Sequence, residues 1–259
     1  MPRFAANLTM MFNEVPFLER FGRAAAAGFE AVEFLFPYEF PPEAVATELR
    51  RHGLTLALFN LPPGNWAGGE RGIAALAGRE DEFRQGLITA RAYAEATGVR
   101  RVHMMAGLAS PDDAAAVARY EAAIREAASF FAPMGIDVLL EPLNRRDVPG
   151  YLLDDFGRAA ALIRRLGLPN VKLQFDIYHC QILHGDITMR LRDMFPIIGH
   201  IQTASIPLRN EPGSGELNDA AVFAELERLG YAGFIGCEYR PANGTEAGLG
   251  WFAPYRPRG

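Results

Sequence analysis

A chain of 259 residues, 49% hydrophobic and 22% charged and without a long apolar run, can bury a full core and is not expected to span a membrane. Its net charge of −5, with cations no denser than doublets such as Arg50–Arg51 and Arg100–Arg101, leaves no footprint for a nucleic-acid backbone. Two cysteines, Cys180 and Cys237, are too few for a disulfide framework and read as buried, inert thiols, which fits a cytoplasmic protein.

The opening stretch "MPRFAANLTMMFNEVPF" is interrupted by Asn7, Asn13 and Glu14, so it lacks the apolar region of a secretory signal and reads as mature sequence. Short Val/Ile/Leu/Phe runs then alternate with amphipathic stretches, as βα units around a parallel sheet require. In chain order the first four runs are RFAANL (3–8), AVEFLF (31–36), LTLALFN (54–60) and VRRVHMMAG (99–107). The second four are IDVLLEPLN (136–144), VKLQFDIYH (171–179), IIGHIQTAS (197–205) and GFIGCEYRP (233–241). Several are almost wholly apolar before a polar tail, the look of strands covered on both faces. Between them, PPEAVATELRRHG carries Pro in its first turn and Gly53 as its stop, and LNDAAVFAELERLG runs from Asn218 to Gly230. Gly28, Gly98, Gly135, Gly167 and Gly230 fall between a helix and the next strand, where a left-handed closing residue is wanted. The pattern predicts an α/β fold, a single (β/α)₈ TIM barrel domain over 1–259, with an open doubly wound sheet as the alternative. The connection from Leu61 to Arg79 is too long for an ordinary turn and reads as a lid.

In such a barrel the site forms at the carboxyl ends of the strands. There the fifth run presents Glu141, the sixth Asp176 with His179 following, the seventh Gln202 and the eighth Glu238. Three carboxylates gathered without a cation would repel and raise one another's pKa, and a shared metal resolves that conflict. Carboxylate and amide oxygens without a thiolate are hard ligands, which favour one Mg²⁺ or Mn²⁺ over a structural Zn²⁺. Glu33 on the second run reads equally as a substrate contact or the partner of an arginine. His103 reads as a substrate contact or an internal histidine, and His200, two residues before Gln202, as internal. His52 and His184 have no partner in view. Strand alternation turns Cys237 away from the mouth that Glu238 faces. Lys172, the one lysine in the chain, sits at the start of its run, so a Schiff-base mechanism is disfavoured.

The stretches "AVEFLFPY", "AGGERGIAALAGRE", "FDIYHCQ", "GHIQTASIPLRNEPGSGELN" and "GCEYRP" with "TEAGLGWFAPYR" together make the chain similar to the hydroxypyruvate isomerase family of xylose isomerase-like barrels, over nearly its whole length. The resemblance implies a single divalent metal held by Glu141, Asp176, Gln202 and Glu238, with Glu141 and Glu238 as the proton-transferring pair. It implies substrate contacts by His179 and Arg209. Related ketose 3-epimerases carry a His where this chain has Gln202. The amino-terminal third also resembles the 2-oxo-tetronate isomerases, whereas "EPLNRRDVPGY" and "QFDIYHCQ" look closer to the hydroxypyruvate enzymes.

The implied reaction interconverts hydroxypyruvate and 2-hydroxy-3-oxopropanoate through an enediolate, Glu141 and Glu238 moving the proton between neighbouring carbons. Arg209, or Arg145 or Arg146, would hold the substrate carboxylate, and Trp66 would close over the site or simply pack. The partner is thus a small hydroxy or keto acid, with no nucleic acid or membrane, and a homo-oligomer stays open. Rival readings are a 2-oxo-tetronate isomerase, a ketose 3-epimerase, an apurinic endonuclease and a barrel that binds a sugar acid without turning it over.

Overall fold

The eight apolar runs become eight parallel strands in the computed structural model, which describes residues 1–256; positions 257–259 of the expected domain lie outside the described residues. The strands are β1 (Arg3–Asn7), β2 (Ala31–Phe34), β3 (Thr55–Asn60), β4 (Arg101–His103), β5 (Asp137–Leu140), β6 (Val171–Asp176), β7 (Ile198–Thr203) and β8 (Phe234–Cys237). They pair in chain order and β8 closes on β1, with Gly236 beside Ala5. This closed barrel excludes the open doubly wound alternative.

The strands are shorter than their runs, and in the fifth the backbone groups of the polar tail find partners outside the ladder. The Leu143 amide donates to the Leu153 carbonyl (3.1 Å), and the Asn144 amide to a ring nitrogen of His179 (3.0 Å). Glu141 and Glu238 are therefore the first residues beyond β5 and β8, set free of the sheet at its carboxyl end.

Seven strand-to-strand connections carry α1 (Phe17–Ala26), α2 (Pro42–His52), α3 (Glu80–Thr97), α4 (Ala114–Phe131), α5 (Phe156–Leu166), the pair α6 (Ile177–Leu183) and α7 (Ile187–Met194), and α8 (Asp219–Arg228). The start signals act as expected from their chemistry. Pro42 opens α2, which Gly53 closes in the left-handed region (φ 63°), and the Asn218 side chain caps α8 by accepting from the Ala221 amide (3.1 Å). After β8 a 3₁₀ segment, Glu246–Tyr255, takes the place of the α-helix that follows a strand in the other units. Its Trp251 and Phe252 meet Phe4 of β1 edge-on, with ring centroids 5.1 and 5.9 Å away. No helix among the described residues is long and apolar enough to cross a membrane.

The main core fills the space between sheet and helices, while Ala5, Ala31, Ala57 and Phe234 form a separate small apolar cluster. Above this cluster, the inward positions of β1, β2 and β8 are Asn7, Glu33 and Gly236. A Cβ on Gly236 would collide with the Glu33 carboxyl group, so the barrel interior admits Glu33 only because the facing position lacks a side chain. We expect Gly236→Ala to destabilise the protein by about 1–3 kcal/mol through this overpacking. Urea unfolding with an unchanged m-value would measure the loss, and wild-type stability in the variant would refute the packing argument.

Candidate active site

Glu141, Asp176, Gln202 and Glu238 come from four consecutive strands and are all enclosed, with relative exposures of 4%, 0%, 2% and 7%. Asp176 and Gln202 are register partners across β6 and β7, so they share one level of the barrel. A cavity of about 250 Å³ opens above them, bordered by Glu141, Glu238, His103, His179, Arg209 and Trp66, among others. Asp176 lies just beneath and is held by its place at the start of α6, where its Oδ1 accepts from the Tyr178 amide (2.8 Å).

Charge is unbalanced in this enclosure. Arg209 Nη2 donates to Glu238 Oε2 at 2.7 Å and lies 3.4 Å from Asp176 Oδ2, and its guanidinium rests 4.8 Å from the Tyr178 ring centroid. The Arg209 backbone is left-handed (φ 59°), an unfavourable state for a side-chain-bearing residue that the surrounding hydrogen bonds must hold. One guanidinium for three carboxyl groups does not suffice. Burial, and then the Glu238 and Asp176 charges, push the Glu141 carboxyl well above the usual range. Glu238 is pushed up to about 8, chiefly by burial and against the pull of Arg209. Asp176 rises to about 6, again by burial against Arg209. Glu141 Oε1 is buried without any hydrogen-bond partner. An orphaned carboxyl oxygen beside two further strained acids is a donor set that fits a divalent cation.

Glu141, Asp176 and His179 offer ligand atoms within 4.8 Å of one another. The tautomer of His179 argues against its being a ligand. Its Nδ1 must accept from the Asn144 amide (3.0 Å), and burial holds its pKa well below 6.5, so the single ring proton sits on Nε2. That Nε2–H, 3.5 Å from Asp176 Oδ2, is a donor facing the site. His103 is likewise neutral, its pKa lowered to about 3 by burial and then by His200, and both its ring nitrogens lack hydrogen-bond partners. Its Nδ1 stands 3.5 Å from Glu141 Oε2.

Glu33 contacts no arginine among the described residues and does not border the cavity, because it lies one layer deeper in the barrel. There its carboxylate accepts from Asn7 Nδ2 (2.9 Å) and Gln202 Nε2 (2.8 Å) and bonds His200 Nε2 (2.6 Å). His200 is internal, as expected, although its Nδ1 is left without a partner. The network fixes Gln202: its NH₂ group must face the Glu33 acceptor, which identifies the other amide atom as oxygen. That oxygen accepts from Gln174 Nε2 (2.6 Å) and keeps a second lone pair.

Trp66 borders the cavity, 38% exposed, edge-on to Phe36 with centroids 4.9 Å apart. The 61–79 connection stands as a wall, tied by Leu61 N to His103 O (2.8 Å) and Ala75 N to Ala106 O (2.8 Å). Arg145 is directed instead to Asp154 (2.7 Å), and exposed Arg146 does not border the cavity. Lys172 is the second residue of β6, at the amino end of the barrel. His184 Nε2 accepts from the Phe156 amide (3.2 Å), and His52 pairs with Glu48 (3.4 Å). Both cysteines are buried and free. Sequence reasoning missed Asn7, Asn144 and Gln174. Asn144 stands in the polar tail "EPLN", a usable signal, whereas nothing local marks Gln174 or Asn7.

The family profile described as a xylose isomerase-like TIM barrel matches residues 21–255. The chain is 52% identical to a Cupriavidus necator protein named 2-oxo-tetronate isomerase, with 100% of each chain covered. It is 43% identical to an Escherichia coli protein named hydroxypyruvate isomerase, covering 99% of this chain and 100% of that one. A crystal structure from Brucella melitensis, named as an AP endonuclease of family 2, is 52% identical, has a TM-score of 0.97, and covers 99% of this chain and 100% of its own. The chain belongs to the xylose isomerase-like TIM barrel family.

Proposed function

We propose that this protein is an isomerase that moves a carbonyl between neighbouring carbons of a short 2-oxo acid, with one Mg²⁺ or Mn²⁺ held by Glu141, Asp176, Gln202 and Glu238. The observation that carries this reading is the enclosure of three carboxyl groups with a single guanidinium, which leaves Glu141 raised in pKa and unpaired. The cation would act as a Lewis acid on the substrate oxygens.

The chain's own groups supply the rest. Glu141 and Glu238 enter from non-adjacent strands, and a carboxylate that takes a proton from one carbon and returns it to the next accounts for the isomerisation. Burial keeps both acids more basic than a surface carboxylate, which offsets the opposite pull of a bound cation. His179 Nε2–H and neutral His103 suit hydrogen bonds to substrate oxygens, and Trp66 limits water entry at the rim. Arg209, by its contacts, orients Glu238 and offsets charge.

The names of the relatives bear on chain length. The relative at 52% identity is called 2-oxo-tetronate isomerase; of two at 45% one carries that name and the other is called putative hydroxypyruvate isomerase, and one at 43% is called hydroxypyruvate isomerase. The four-carbon acid is therefore the first substrate to assay, ahead of the three-carbon pair that the sequence alone suggested. The Brucella structure's name keeps an endonuclease in view. A net charge of −5 and a mouth lined by carboxyl groups both oppose a phosphodiester backbone, and a nicking assay on abasic DNA tests it directly.

Glu141→Gln and Glu238→Gln should each lower kcat by about 10²–10⁴-fold. Chelator should silence the wild type until Mn²⁺ or Mg²⁺ is restored. Hydrogen exchange between substrate carbon and deuterated water, followed by NMR, reads both effects and separates turnover from mere binding. Full exchange in metal-stripped protein would end this reading.

The raised carboxyls also make a stability prediction for metal-free protein. Glu238 titrates at about 8 when folded against an ordinary 4.5, so between those values the folded state binds more protons than the unfolded one. The stability it contributes is complete below the lower value and is lost as pH rises through the upper one. Thermal unfolding in chelator should show Tm falling between pH 5 and 8 by an amount on the order of 5 °C, a slope that Glu238→Gln flattens. Added Mn²⁺ should raise Tm more at pH 8 than at pH 5, and a flat Tm in chelator would refute the charge assignment.

A further inference from the structure

A short 2-oxo acid brings a carboxylate as well as a carbonyl, and the residue first expected to hold that carboxylate is engaged elsewhere. Arg209 is committed to Glu238 and Asp176. Two other arginines border the cavity, Arg71 and Arg240. Arg240 is exposed, and no side-chain hydrogen bond fixes it among the described residues.

Arg71 is different. Its guanidinium lies 3.9 Å from the Trp66 ring centroid, and its Nη1 donates to the carbonyls of Trp66 (3.2 Å) and Glu70 (2.7 Å). Those contacts lock the plane of the group and leave Nε and Nη2 without a partner among the described residues. The neighbouring Glu70 does not neutralise it, because that carboxylate is taken by Arg79 and the Asn65 amide. The backbone is equally fixed: the next residue, Gly72, forms an isolated bridge with Ala106, just beyond β4. The result is a half-buried, oriented cation, unpaired among the described residues, at the border of a cavity that Glu141 and Glu238 also border.

We infer that Arg71 is the carboxylate-binding residue of the site, presenting its free Nε–Nη2 edge as a fork to the substrate's acid group, with Trp66 as the platform that aims it. This rests on the acid-isomerase reading and adds to it the recognition of the anionic end. It assigns Trp66 an aiming role distinct from excluding water. A planar fork held in advance loses little entropy on binding a planar carboxylate, which Lys in the same place could not reproduce.

The test is calorimetric binding of tartronate, an unreactive hydroxy dicarboxylate, to protein supplied with Mn²⁺. Arg71→Met should weaken binding by about 10- to 100-fold, the range for a lost charged hydrogen-bond pair. Arg71→Lys, which keeps the charge and loses the fork, should fall between. Arg240→Met should stay within about fivefold of wild type, as a solvent-exposed rim charge does. Thermal unfolding and tryptophan fluorescence of Arg71→Lys show whether the wall is intact. Wild-type affinity in Arg71→Met, or an equal loss in Arg240→Met, would overturn the assignment. For whichever acid is turned over, Arg71→Met should raise KM more than it lowers kcat, and the reverse split would also overturn it. Arg71-dependent tartronate binding by a protein that exchanges no substrate hydrogen would leave this subsite standing and end the isomerase reading.

Discussion

The constraint on which the rest of this structure depends is electrostatic: carboxyl groups cannot be crowded away from water without something to balance them. Glu141, Asp176 and Glu238 are almost wholly enclosed, and among the described residues Arg209 is the one cation within hydrogen-bond reach of any of them. Burial alone would drive such groups to take up protons, and their mutual repulsion adds to it. A protein that keeps this arrangement is poised either to hold protons or to accept a divalent cation. Both alternatives matter for the proposed reaction, which shifts a proton along a carbon chain.

Beneath this mouth the barrel departs from the usual filling of branched aliphatic side chains. Asn7, Glu33, Gln174, His200 and Gln202 form a connected polar layer, and Gly236 makes room for it. The layer has a clear mechanical consequence. Because Glu33 can only accept from the Gln202 amide, Gln202 cannot flip, and an oxygen is held at the level of Asp176. Glu33 thus acts at one remove, through the side chain it orients.

The mouth divides its labour by charge. Glu141 and Glu238 border it, Arg209 bonds Glu238 and lies beside Asp176, and Arg71, stacked on Trp66, borders it as well. His103 and His179, whose pKa values burial lowers, border it as hydrogen-bonding groups. Such an arrangement suits a small molecule with one anionic end and one enolisable end, and the proposed acids of three or four carbons fit that description.

Much of this was legible from the chain alone. Strand and helix periodicity, glycine stops and the polar tail of each apolar run predicted a (β/α)₈ barrel and placed Glu141, Asp176, Gln202 and Glu238 at one end, because local propensity and a fixed fold rule suffice for that. Depth was not legible: Glu33 and Asn7 alternate inward exactly as a mouth residue would, and only closure of β1 on β8 shows that they lie a layer below. Nor could spacing reveal that Arg209 would be spent on Glu238 while Arg71, on a distant connection, would have no acidic partner among the described residues. Pairing between charges far apart in the chain depends on distances of a few ångströms, and those exist only once the barrel has closed.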